Sequence, residues 1–340
     1  MNKIMNKILL EDLNNFDIPN DIKSPLSNST IVVTGATGLI GSLLVKCLAC
    51  LDLGIKFILP VRNKDKALAC FNGYDCVEIR QCDIPSFFNG LSIDIDYIFQ
   101  CASPTNGTYI SEHSAETLLL PIESMKAISE YAKMHSVKSI VYLSSIEYYG
   151  KNHDDKLIDE NFIGAIDMSS ARSAYPLGKR TAEYLSFCYA NEYDIPVKIA
   201  RLTQTFGAGI SNEDNRVFAQ FARSIIGNQD IILHTQGNSA KPYCYTTDCI
   251  SALIYILIKG KNGEAYNVAT PGTYITIKDM AYFLRDSFNT NIKVTIDAGK
   301  DHGYAPETRL NLNADKLLQL GWTPKYNLKQ MYERLIKSLN

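Results

Sequence analysis

The chain has 340 residues, 46% of them hydrophobic, and a net charge of -2. That is enough apolar side chain for one large domain or two joined ones, and the near-neutral charge gives no electrostatic handle for nucleic acid or an anionic membrane. The 9 cysteines are scattered, which suits a reducing compartment; Cys47-x-x-Cys50 lacks a second pair and reads as packing rather than zinc or redox chemistry.

Residues 1–28 read as an extension. Residues 8–13 suit a short helix, and Pro19, Asn20, Ser24 and Pro25 suit a linker wrapped on the surface. Residues 1–10 lack the long apolar core and cleavage site of a signal peptide, and no apolar run reaches membrane-spanning length. The expected location is therefore the cytoplasm. Residues 30–33, Thr-Ile-Val-Val, then form an apolar, β-branched run that suits a buried parallel strand.

The next stretch is Thr34-Gly35-Ala36-Thr37-Gly38-Leu39-Ile40-Gly41, followed by a helical run at 42–49. A strand, a glycine-rich turn and a helix form a dinucleotide-binding opening. Gly35 permits a tight turn, Gly38 lets a diphosphate approach the backbone, and Gly41 lets the helix pack against the strand. The helix start offers free N–H groups and a positive dipole end. A second strand is expected at 56–61. It ends at Arg62, 21 residues after Gly41, where NAD binders carry an acid for the ribose hydroxyls. A basic residue here suits the extra phosphate of NADP, or is a solvent-facing arginine beside Lys64 and Lys66. The cofactor is thus NADP or NAD.

A third strand at 76–81 leads to Asp83 and Ile84, where Asp83 either meets the adenine or serves as a loop aspartate. A fourth at 96–100 ends in Cys101-Ala102-Ser103-Pro104, small residues that leave room for a cofactor. A long helix is expected at 115–135, a fifth strand at 139–144 and a polar loop at 151–172. A helix at 175–193 puts Tyr175 and Lys179 on one face, and a sixth strand follows at 196–202. The repeated strand–helix order predicts an α/β fold with a doubly wound parallel sheet. Beyond it the pattern is mixed: helices at 216–226, 247–259, 277–288, 313–320 and 328–338, and short strands at 230–234, 265–268 and 292–296. The expected organisation is an extension at 1–28 and a nucleotide-binding domain at 29–203. Parts of 230–268 return to that domain, and 204–229 with 269–340 form a substrate lobe.

Taken together, TGATGLIG at 34–41, LSSIEYYG at 143–150, YPLGK at 175–179, QTFGAG at 204–209, YCYTTD at 243–248 and RLNLNADKLLQLGWTP at 309–324 resemble the extended short-chain dehydrogenase/reductase family. The likeness is to its nucleotide-sugar epimerases, dehydratases, decarboxylases and reductases, and runs from about residue 31 to 338. It implies an NAD(P)-dependent enzyme that oxidises or reduces a nucleotide-diphosphate sugar at C4. An epimerase leads; a 4-keto-sugar reductase, a UDP-glucuronate decarboxylase-like enzyme and a non-catalytic NAD(P)-sensing scaffold are the alternatives.

The residue types suit that chemistry. Oxidising a carbinol needs a base, and a tyrosine is a weak one near its free pKa of about 10. The Lys179 ammonium is expected to favour the Tyr175 phenolate, and by resemblance also holds the nicotinamide ribose. Ser145, or failing it Ser144, hydrogen-bonds the reacting oxygen. On the substrate side the resemblance implies Arg309 at the diphosphate, with Thr205, Arg216 and Lys241 nearby; Lys241 stands where many relatives have arginine. Arg216-Val217-Phe218 and Ala102-Ser103-Pro104 resemble the decarboxylase branch. Glu147 is a further acid/base candidate, while Ile146 replaces the proton-donating aspartate of the 4,6-dehydratases. No metal site is expected. The resemblance also implies a homodimer, paired through the helices at 115–135 and 175–193, where Leu118, Ile122, Leu185 and Cys188 are apolar.

Overall fold

The computed structural model describes residues 6–298 and 307–340. Its frame is a sheet of seven strands: β1 (Thr30–Thr34), β2 (Lys56–Val61), β3 (Val77–Gln81), β4 (Tyr97–Gln100), β5 (Ser139–Ser145), β6 (Val197–Leu202) and β7 (Ala265–Val268). They lie in the order β7-β6-β5-β4-β1-β2-β3, and every pairing is parallel. Helices cover both faces, so the inner strands are apolar throughout rather than alternating; Ile31, Val32 and Val33 are all fully buried. The order reverses between β1 and β4. Ligands of such sheets bind beyond the C-terminal ends of the strands at this switch point.

Among the described residues the longer helices are α1 (Lys7–Asn14), α2 (Leu39–Ala49), α3 (Ser114–Met134), α4 (Ala174–Tyr193), α5 (Val217–Ile226), α6 (Thr246–Lys259), α7 (Ile277–Phe288) and α8 (Leu328–Leu339). The expected elements recur with boundaries moved by at most three residues. Residues 265–268 are the seventh strand, paired with β6. A separate core, centred on Phe206, Phe218, Tyr243 and Tyr332, gathers α5, α7 and α8.

The reading of the N-terminal extension as a surface wrap needs correction over its described part, residues 6–28; residues 1–5 lie outside the described residues. Ile8, Leu9, Leu13, Phe16, Ile18, Ile22 and Leu26 are buried in the main core. The expected linker holds a short helix at Asn20–Lys23 and a 3-10 turn at Ser24–Leu26. Polar fixings add to the apolar ones: buried Asp12 accepts from Tyr245 Oη at 2.6 Å and from Arg334 Nε at 2.8 Å. Those bonds join α1 to α8 and to the strand segment before α6.

Candidate active site

Above the switch point lies a cavity of about 1130 Å³. Drug-sized ligands occupy roughly 300–1,000 Å³, so this one suits a larger ligand or two placed end to end. Its floor is the turn between β1 and α2, with Gly35, Thr37, Gly38, Leu39, Ile40 and Gly41 on the wall. Gly35 has φ +62°, and a Cβ there would lie 2.6 Å from the Ala102 nitrogen. A Cβ on Gly41 would lie 2.5 Å from the Gly35 carbonyl oxygen. These two glycines are demands of the fold.

Gly38 differs. Its φ of -83° is open to any residue, and a Cβ would meet only the Gly35 carbonyl oxygen, at 3.3 Å. The chain itself hardly needs glycine at this position; a ligand pressed against the helix start does. This bare backbone facing a cavity fits the diphosphate of a dinucleotide.

Thr34 sets the opposite wall. Its hydroxyl accepts from the Cys101 nitrogen at 3.2 Å and the Ala102 nitrogen at 3.3 Å, tying the segment after β4 to the end of β1. Cys101, Ala102 and Ser103 consequently line the cavity. Arg62, Asp83 and Ile84 line its far end. The Arg62 side chain is 75% exposed and meets Glu116 at 3.4 Å, so its guanidinium is weakly held. Asp83 also caps the helix at Ile84–Phe88 by accepting from the Ser86 nitrogen at 2.7 Å.

The other half of the cavity carries Ser144, Ser145, Glu147, Tyr175, Lys179, Thr205, Arg216 and Lys241. Successive residues of a strand face opposite ways, which separates the two serines. The Ser144 hydroxyl donates to Glu183, whereas Ser145 acts on the Tyr175 phenol. Ser145 Oγ accepts from the Glu147 nitrogen at 3.2 Å, which leaves its own hydroxyl proton for the Tyr175 side of the cavity.

The expectation for Tyr175 and Lys179 is corrected here. Burial pushes the phenol up to about 12, with Glu147 adding to it; Ser145, Arg172 and Ser103 oppose. Burial likewise pushes Lys179 down to about 8. The ammonium lies 5.8 Å from the centre of the Tyr175 ring and donates to the Leu143 carbonyl at 2.7 Å. Desolvation is the largest influence on each group, and neither side chain is among the influences on the other.

Glu147 is engaged by a residue the sequence reading passed over: Arg172 Nη2 donates to Glu147 Oε1 at 2.7 Å. The Arg172 guanidinium also lies 5.5 Å from the centre of the Tyr175 ring. Half-buried Lys241 feels the same carboxylate, which opposes the downward push of desolvation on its pKa. Arg216 is held by Asp214, which accepts from its Nε at 3.0 Å. Arg309 does not join the cavity lining: its Nη1 donates to Asp155 Oδ2 at 2.6 Å. The expected diphosphate contact therefore requires breaking that ion pair. Among the described residues no cluster could hold a metal ion, and no helix is long and apolar enough to cross a membrane.

Comparison with known proteins gives a consistent result. The model of the NAD dependent epimerase/dehydratase family matches residues 31–269. The chain is 26% identical over 310 residues to UDP-glucuronic acid decarboxylase 5 of Arabidopsis thaliana, covering 89% of this chain and 87% of that one. Its fold is similar to UDP-glucose 4-epimerase of Thermotoga maritima, with a TM-score of 0.78 at 20% identity over 91% of this chain and 98% of that one. It is also similar to UDP-glucuronic acid 4-epimerase of Bacillus cereus, solved with UDP-glucuronic acid and NAD, with a TM-score of 0.74 at 17% identity over 91% and 98%.

Proposed function

The chain belongs to the NAD dependent epimerase/dehydratase family, and from that premise we propose that it is a nucleotide-sugar epimerase working through a transient ketone at sugar C4. One observation carries the reading: Ser145, Glu147, Tyr175 and Lys179 line the same cavity as the bare backbone of Gly38. When bound, the nicotinamide dinucleotide supplies the hydride acceptor and donor. Gly35–Gly41 would receive its diphosphate and Arg62 would reach its adenosine ribose. Tyr175 Oη takes the proton of the C4 hydroxyl and returns it when the ketone is reduced. Ser145 Oγ hydrogen-bonds the same oxygen and relays the proton. Lys179 Nζ keeps a positive charge beside the phenol as it ionises.

Glu147 extends the chemistry to the carbon next to the ketone, whose proton is acidified once C4 is oxidised. Its carboxylate takes that proton and returns a solvent-exchanged one to the same face, with Arg172 holding it in place. Ile146 carries no proton to donate, so the reading excludes loss of water across C5 and C6. The expected result is solvent deuterium at the carbon beside C4 during turnover, lost together with about 10²-fold or more of the rate in Glu147→Gln. Full activity in Glu147→Gln would confine the chemistry to C4. A second reading, decarboxylation of an acidic sugar, is favoured by the two cations, Arg172 and Lys241, beside Glu147. It predicts release of carbon dioxide, which an epimerase does not produce; a reductase would instead consume its reduced cofactor stoichiometrically.

The assembly proposed is a homodimer through α3 and α4. These helices lie against each other closely enough that a Cβ on Gly178 would come within 2.9 Å of the Leu118 carbonyl oxygen. Of the apolar residues expected at a dimer interface, Ile122 and Leu185 turn inward against the core of the sheet. Leu119, Tyr184 and Phe187 are exposed along the two helices, at 47%, 69% and 48%, with Met134 and Tyr193 exposed at their C-terminal ends. Light scattering is expected to give twice the chain mass at micromolar concentration, and the monomer mass for Phe187→Asp.

A further inference from the structure

Three buried residues share one face of α4. Tyr175, Lys179 and Glu183 are spaced by four and form a column along the helix. Glu183 is outside the cavity lining and has no part in the chemistry above. Its carboxylate is nonetheless fully engaged. Oε2 accepts from Arg201 Nη2 at 2.7 Å and Nε at 3.0 Å, and Oε1 accepts from Nε at 3.2 Å and from the Ser144 hydroxyl. Arg201 Nη1 donates to Tyr149 Oη at 3.1 Å and to the Glu160 carbonyl at 2.6 Å. The guanidinium carbon lies 3.5 Å from the centre of the Tyr148 ring. Both members of the pair are nearly sealed from solvent, at 5% and 6% exposure. A buried ion pair is poor evidence of stabilisation, because desolvation offsets its attraction. Its place beside a buried ammonium gives it another use.

Lys179 faces Leu143 and Tyr142 from β5, Cys101 from the segment after β4, and Tyr175 and Glu183 from its own helix. Arg201, on β6, lies beyond Glu183. Among the described residues Glu183 is the carboxylate that acts on the charge of Lys179.

We propose that Glu183 is a positioning residue for the site: one helical turn from Lys179 on the same buried face, and bonded to Arg201 and Ser144 rather than to the lysine, its carboxylate keeps the Lys179 ammonium charged, and through Ser144 it fixes the end of β5 so that Ser145 faces Tyr175. Burial pushes Lys179 down to about 8, and Glu183 is the strongest influence against that push. Burial raises the pKa of Glu183 itself, and Arg201 opposes this most strongly. Arg201 thus sustains the charge that Glu183 lends to Lys179.

The proposal depends on the proposed function only for what Lys179 is used for, and the ionisation of Lys179 can be read without turnover. The full chain is labelled with ¹³C-lysine, and the Lys179 resonance is assigned by its loss in Lys179→Met. In Glu183→Gln the Lys179 titration midpoint is expected to fall by about one pH unit or more, and the alkaline limb of kcat/KM to move down with it. Because Glu183→Gln leaves Arg201 unpaired, Glu183→Gln with Arg201→Met is measured beside it. This double variant removes both buried charges, and is expected to fold and show the same downward shift. An unchanged midpoint in the folded double variant overturns the proposal. A shifted midpoint in a protein whose wild type turns over no nucleotide sugar sinks the proposed function instead, and leaves Glu183 as the residue that keeps Lys179 charged.

Discussion

Tyr175→Phe is expected to lower kcat by about 10²–10⁴-fold, the usual contribution of a placed acid/base group, with dinucleotide affinity nearly unchanged. The variant removes one oxygen and keeps the ring, so packing inside the cavity is preserved. What is lost is the atom that carries the C4 proton. The pH dependence follows from the two buried groups. The phenol titrates near 12, so the phenolate fraction rises about tenfold per pH unit below that value. Lys179 titrates near 8, so its ammonium is lost as pH climbs past that point. The wild-type rate is expected to rise with pH up to about 8 and then to flatten or fall as Lys179 discharges. The phenylalanine variant should lose the rising limb. Steady-state rates from pH 6 to 10, with cofactor binding followed by fluorescence, check both statements. A variant that keeps the wild-type rate would remove Tyr175 from the chemistry.

What could be read from the sequence divides along physical lines. The glycine turn, the parallel strands and the Tyr175–Lys179 pair are local signals. Each is written in consecutive residues or in one helical turn, and each stands where the spacing put it. The partners are not local. Arg172 meets Glu147 across 25 residues, and Arg201 meets Glu183 across 18; each lies in an element whose own pattern gives no hint of the other. The spacing of four from Lys179 to Glu183 was available as a same-face signal, but burial of the carboxylate is a property of the packed sheet. The ion pair of Arg309 is non-local in the same way. Asp155, in the loop over the site, supplies an acceptor that no pattern around Arg309 foretells. The N-terminal extension shows the converse. Its proline and serine spacing suggested a linker, yet apolar residues from Ile8 to Leu26 had to be buried somewhere, and the main core takes them. The phenol and ammonium of the site were judged by their mutual attraction, whereas burial moves each of them more.

The sharpest contrast should come from two glycines three residues apart. Gly41→Ala forces a Cβ to within 2.5 Å of the Gly35 carbonyl oxygen and 3.0 Å of the Ala36 Cα, both backbone atoms that cannot swing aside. Overpacking of this kind costs about 1–3 kcal/mol, and in a chain of this size it should lower Tm by several degrees, roughly 2–4 °C per kcal/mol. Gly38→Ala should behave otherwise. Its backbone suits any residue, and the one close atom, the Gly35 carbonyl oxygen at 3.3 Å, needs to yield by only a few tenths of an ångström. Tm should therefore stay within about 1–2 °C of wild type. Dinucleotide affinity should instead fall by tenfold or more, about 1.4 kcal/mol, because the new methyl group occupies the approach to the free N–H groups at the start of α2. Thermal melts with and without NAD and NADP separate the two outcomes: Gly41→Ala lowers the melting point itself, and Gly38→Ala shrinks the rise that cofactor brings. If Gly38→Ala binds both dinucleotides as the wild type does, no diphosphate lies against that backbone. The cofactor half of the cavity would then have to be sought elsewhere along the ends of β1 and β4.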